Sequence, residues 1–178
     1  MIPLPILLAI SNLLKALDKL LRPYIEPMPN SYADRIYTKA FESLGNDVTP
    51  EDRVPDSVSC AETISEIILQ AIPESNFPKL VSTREMYNYF TKSPSWKQVD
   101  LPHYADIVLS PTGLGNGSVE HGHVSICGKK DGPDGSPWLM STDSRTGTFQ
   151  ANYTLLSWNR YYASKGGFPV LFFRYGIV

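Results

Sequence analysis

The sequence predicts an α+β domain whose N-terminal helices pack on a mostly antiparallel sheet. Three observations lead there. Apolar residues recur at helical spacing through the first half of the chain, they gather beyond Ser93 into short runs bounded by Gly, Pro and Asp, and 15 prolines keep every segment short. A length of 178 residues suits one domain with a substantial core.

Residues 1–22 come first. Ile6, Ile10, Leu13, Leu17 and Leu20 alternate spacings of four and three, with Leu7, Leu14 and Leu21 beside them, which predicts an amphipathic helix. No charge precedes the apolar run and no small-residue cleavage pattern follows it, so a secretory signal is not expected; Lys15 makes the run too short for a spanning helix. Such a helix either docks on protein, its own domain or a second copy, or lies on a membrane surface, with residues 4–21 as the contact. Pro23, Pro27 and Pro29 make 23–31 a stiff linker, leaving 32–178 as the main domain.

Ile36, Tyr37, Ala40, Phe41 and Leu44 share a face, so a helix is expected over 32–44, with Gly45 where a C-terminal cap belongs. The polar stretch GNDVTPEDRVPDS is a loop. Ser59 and Glu62 then fit a capping box, with Ser59 as N-cap and Cys60 as the first helical residue. Ile64, Ile67, Ile68 and Ala71 form that helix's apolar face, and Pro73 ends it. A shorter helix over 83–90 opens with a second box, Ser82 to Glu85. Strands are expected at SWKQV, ADIVLS, HVSIC, WLMSTD and PVLFFRY, with a helix over 153–163 before the last.

A formal net charge of −2 gives no concentrated basic surface, so nucleic acid is not an expected partner. Two cysteines, three histidines and no CxxC spacing make a zinc site unexpected. The glycine-rich SPTGLGNGSVEHG lacks the Lys-Ser/Thr of a phosphate loop and leads into a strand; its glycines suit tight turns beside a cleft. Tyr153, Trp158, Tyr161 and Tyr162 fit a core stripe or a glycan-binding groove.

Cys60 carries the chemical question. A buried free cysteine is ordinarily a small core residue, but the first turn of a helix favours a thiolate, because free N–H groups and the dipole stabilise negative charge there. A nucleophile also needs a base. His121 and His123 share one face of the expected strand, and a hairpin turning near Gly132 and Pro133 sets His123 roughly opposite Thr142 and Asp143. A carboxylate beside an imidazole fixes its tautomer, which is the third role in a Cys-His-acid arrangement. Asp143 equally suits a local turn with Ser144, Thr146 and Gly147, and a Cys60 to Cys127 disulfide stays open.

Together, the Cys at a helix start in PDSVSCAETISEI, then ADIVLSPTGLGNG, HGHVSICG and MSTDSRTGTFQANYTLLSW resemble the papain-like cysteine peptidases and amidases of the NlpC and CHAP groups. The run looks like the versions carried by bacteriophages as endolysins, over roughly residues 32–175. The resemblance implies a papain-like fold and a peptidoglycan hydrolase that attacks an amide carbonyl through its thiol, without metal or organic cofactor. Cys60 would be the nucleophile, His123 the base and then the acid, and Asp143 the orienting group, although the phage pattern often has Asn where Thr142 stands. The Cys60 N–H with a donor from the 56–59 loop, Ser59 included, would form the oxyanion site. Tyr104, Asp106, His121 and Thr142 complete the substrate-side candidates, Asp106 supporting the fold more than the chemistry. The sequence leaves the route to the cell wall open: a host cytoplasmic pool released through a membrane pore, as an endolysin would be, or export. Two other readings remain: a catalytically silent structural or binding module, and an acyltransferase or processing protease.

Overall fold

The structure is a computed structural model that describes residues 31–49 and 54–176. The chain divides into two units, 1–31 and 32–178, and the second is described below. The amphipathic segment over 1–22 and the linker up to residue 30 lie outside the described residues.

Helix α1, Tyr32–Glu42, buries Ile36 and Ala40. Phe41, expected on the buried face, is 58% exposed and stacks on Tyr37 with ring centroids 6.0 Å apart. Gly45 takes a φ of +83°, a conformation that suits glycine, and its N–H donates to the Phe149 carbonyl at 2.8 Å.

Helix α2, Cys60–Ala71, starts at the expected residue by a different device. A 3-10 turn, Asp56–Val58, runs straight into it, so Ser59 already has helical angles (φ −74°, ψ −1°) and makes no side-chain cap. The Ser59 hydroxyl and N–H both donate to the Asp56 carbonyl instead. The expected capping box at Ser59 is therefore absent, because an N-cap side chain needs an extended backbone to reach forward. Burial on α2 extends beyond its apolar stripe: Glu62, Thr63 and Ser65 are buried with Ile64, Ile67 and Ile68. Ser65 Oγ donates to Ala61 O and accepts from Leu80 N, which satisfies it inside the core.

Helix α3, Thr83–Lys92, is capped by Ser82, whose hydroxyl accepts from Glu85 N. Glu85 reaches back to Val81 N rather than to Ser82.

Six strands follow: β1 Trp96–Val99, β2 Ile107–Ser110, β3 His123–Asp131, β4 Pro137–Thr142, β5 Phe149–Thr154 and β6 Leu171–Tyr175. They form one sheet in the order β1-β6-β2-β3-β4-β5, with every neighbouring pair antiparallel. Strand β5 lies where the sequence left the chain unassigned or helical. Its pairing with β4 carries the strand through Thr154, so the following helix, α4 (Leu155–Trp158), begins two residues later than expected, behind a Thr154–Ser157 capping box. It continues as a π-helical turn, Asn159–Lys165.

Both faces of the sheet are covered. Val124 and Ile126 of β3 join Ile64, Ile67, Met86 and Phe90 in the larger cluster with α1 to α3. Val108, Cys127 and Leu139 face the other way, against Trp158, Tyr162 and Phe168. This explains why β2 is buried at all four residues instead of alternating. Asp106, 2% exposed, receives Nε and Nη2 of Arg174 on β6 at 2.8 and 2.7 Å, and the His103 N–H at 2.6 Å. No helix among the described residues is long and apolar enough to cross a membrane.

Candidate active site

A cleft of about 870 Å³ opens where the start of α2 meets the start of β3. Cys60 and His123 both line it, with Ser57 and Val58, the Val81–Arg84 turn into α3, the 119–122 loop before β3, Thr142 to Arg145 after β4, and Asn152, Tyr153, Tyr161 and Tyr162.

Cys60 is 8% exposed on the helical side of the sheet. Burial pushes its thiol up to about 11, while the N–H groups of Val124, Ala61 and Cys60 itself favour the thiolate and oppose that rise. The helix start therefore supplies the donors that the sequence suggested, and desolvation outweighs them. Cys127 is also a free thiol, on the opposite face of β3, and it does not pair with Cys60.

His123 opens β3 and is buried among aromatic rings. Trp158 and Tyr162 stack on it with centroids 5.3 and 5.7 Å away, and Tyr153 meets it edge-on at 5.9 Å. Burial pushes its imidazole down to about 4. At neutral pH the resting pair is thus a thiol and a neutral imidazole. Gly122 holds the approach to this strand: a Cβ there would lie 2.0 Å from the Ser110 carbonyl, so only glycine fits. His121 precedes the strand instead of sharing its face, and stands on the cleft rim 3.8 Å from Glu120.

The partner of His123 is not Asp143. His123 Nε2 lies 3.0 Å from Ser141 Oγ, and that hydroxyl donates to Asn152 Oδ1 at 2.7 Å. Asp143 lines the cleft, but its carboxylate accepts from Arg145 N, Nε and Nη2 within the turn between β4 and β5. The arginine and the main-chain N–H hold its carboxyl below the usual range. The local-turn alternative is what the chain adopts, because the bonds are two residues away in sequence and cost little chain entropy.

The other expected residues separate. Thr142 lines the cleft and is 2% exposed, with an Oγ1 that has no partner among the described residues, a deficit worth about 1–3 kcal/mol in a dry site. Ser59 is buried with both donors committed to Asp56. Tyr104 and Asp106 are not among the cleft residues: Tyr104 donates to Asp34 and faces Lys129, and Asp106 holds Arg174. Among the described residues no group of three or more His, Cys, Asp or Glu side chains is arranged to hold a metal ion.

Ser141 and Asn152 were not singled out in the sequence. Alternation along FQANYT was a usable strand signal, but the partnership of the two residues depends on the register between β4 and β5. No model of a known protein family matches the chain, and no curated protein matches it.

Proposed function

We propose that this chain is a papain-like thiol hydrolase of the NlpC and CHAP type that cleaves an amide bond in peptidoglycan, as a bacteriophage endolysin does. The observation that carries the reading is the shared cleft: a cysteine at the first turn of α2, ringed by main-chain N–H groups, and a buried histidine with its own hydrogen-bonded support. The site residues match the chemistry of acyl transfer to sulfur.

In this mechanism the Cys60 thiol passes its proton to the neutral imidazole of His123 as sulfur attacks the carbonyl. The sulfur–carbon bond forms, and the imidazolium returns the proton to the leaving amine as the carbon–nitrogen bond breaks. Water then attacks the thioester, giving one proton to His123, and the thiol leaves with that proton restored. N–H groups of Ala61 and Cys60 reach the Cys60 sulfur, and in this mechanism the start of α2 would stabilise the negative charge that develops beside it. The lone pair of His123 is free at physiological pH, but burial opposes charging of both partners, so in this mechanism the proton moves in step with carbon–sulfur bond formation rather than ahead of it.

The test is release of free amino groups or of soluble fragments from purified cell wall. The full chain should be active, and Cys60→Ala and His123→Ala should each lower activity by at least about 10²-fold while the circular dichroism spectrum stays unchanged. Equal activity in Cys60→Ala would sink the proposal. A second reading, a silent module on the same scaffold, is favoured by one observation, the 8% exposure of Cys60 with its raised pKa. A wild-type chain that binds cell wall without releasing anything would select it.

A further inference from the structure

The charged groups along the cleft divide by partner. Asp143 holds Arg145, and Glu120 stands 3.8 Å from His121 on the rim. Arg84, exposed in the same cleft as Cys60 and His123, makes no hydrogen bond or ion pair with any described residue. Elsewhere in the chain, Arg35 and Arg174 each grip a carboxylate.

The helix gives Arg84 no reason to be there. Ser82 caps α3, so Arg84 falls in the first turn, where free N–H groups and the helix dipole already concentrate positive charge. A cation in that turn opposes helix stability unless an anion meets it. Glu85, the next residue, commits its carboxylate to the Val81 N–H. A local rule broken without a compensating contact points to a role outside the fold.

The side chain is nevertheless well placed. Its Nη2 lies 3.4 Å from the point a Gly113 Cβ would occupy, so the guanidinium rests beside the bare backbone of the glycine-rich loop. The adjoining residue, Thr83, sets its hydroxyl 2.8 Å from that of Thr112 and accepts the Thr112 N–H at 3.0 Å. Thr112 Oγ1 in turn accepts from Gly122 N, and Gly122 precedes His123. The backbone that carries the cation is thus tied in two steps to the backbone that carries the histidine, which keeps charge and reacting atoms in register. Beyond β3, at the end of β4, Thr142 Oγ1 is buried without a partner among the described residues, a second polar group of this cleft that the chain does not satisfy itself.

We propose that Arg84 is a specificity-determining residue that receives a carboxylate of the substrate, so that the chain prefers peptides with a free carboxylate near the scissile amide over the same peptides with that group amidated. This rests on the thiol-hydrolase reading. A guanidinium meets a carboxylate through two parallel N–H···O bonds, and a carboxamide, with one acceptor oxygen and no charge, cannot complete that fork. Neighbouring strands stand about 5 Å apart and an extended residue spans about 3.3–3.6 Å. With the scissile carbonyl at Cys60, the carboxylate therefore lies about one to three residues along the peptide.

The test uses the full chain and two synthetic stem peptides that differ in one group, a free carboxylate or its carboxamide within three residues of the scissile amide. The wild type should show a kcat/KM about 10- to 10²-fold higher for the carboxylate peptide. Arg84→Gln should erase the preference, Arg84→Lys should keep part of it, and Arg84→Glu should reverse it. An equal loss on both peptides in Arg84→Gln would assign the residue a structural role and overturn the proposal. Equal rates in the wild type would overturn it too, and that comparison needs no variant to fold. If neither peptide is cut, calorimetry with the same pair decides. Binding that favours the carboxylate and loses that preference in Arg84→Gln would keep the receptor and remove the hydrolase reading, whereas equal binding or none would sink the receptor itself.

Discussion

Cys60 and His123 are displaced from their ordinary pKa values in opposite directions by the same cause, loss of water around the charged form. For Cys60 the consequence is kinetic. In a Cys127→Ser background, alkylation at pH 7 should be slow and should climb with a midpoint well above the free-thiol value of about 8.5, toward about 11. A rate already level at pH 7 would mean that a thiolate–imidazolium pair exists at rest. For His123 the consequence is thermodynamic. Its folded pKa lies below its unfolded value, so the unfolded chain binds the extra proton first; stability is complete above about 6.5 and is lost as pH falls toward about 4. The loss should approach about 3 kcal/mol. Urea titrations of the wild type and His123→Gln at pH 7 and pH 4.5 check this, and a difference between the two chains that does not change with pH would contradict it.

The cleft is built by the ends of elements, and its precision comes from how those ends are tied. The 3-10 turn Asp56–Val58 delivers Cys60 to the first turn of α2, and the Thr83–Thr112 hydroxyl pair at 2.8 Å joins the start of α3 to the end of β2. Thr112 Oγ1 also receives Gly122 N at 2.9 Å, which anchors the residue before His123. On the far side, Asp106 and Arg174 hold β2 against β6 through a bidentate pair with a 2%-exposed carboxylate. Arg174→Leu would leave that carboxylate buried without its cation, and unfolding in urea should show a loss of about 3–5 kcal/mol. A loss below about 1 kcal/mol would place Asp106 in contact with water.

At the scale of the whole molecule, the sheet, both clusters and the cleft are built within the unit 32–178, from its described residues. The Pro-rich stretch 23–31 predicts that deleting residues 1–22 leaves the melting temperature of 32–178 unchanged, while altering hydrodynamic size or liposome binding if the amphipathic stripe serves either purpose; a large fall in melting temperature would show that the segment completes the core. The α+β class, the order of helices then strands, and the placement of Cys60 at a helix start and of His123 on a strand were legible in the residues, because helix onset and strand alternation are local signals. Ser141 and Asn152 were not, since they lie eleven positions apart and meet only through a bulged register between β4 and β5. Asp143 looked like the partner of His123 by count along the hairpin, yet the neighbouring Arg145 claims it. The burial that raises Cys60 and lowers His123 has the same origin as the Ser141–Asn152 contact. Local pattern selects which side chains can act, but solvent exclusion and partner choice are set by segments distant in sequence, whose packing no single stretch encodes.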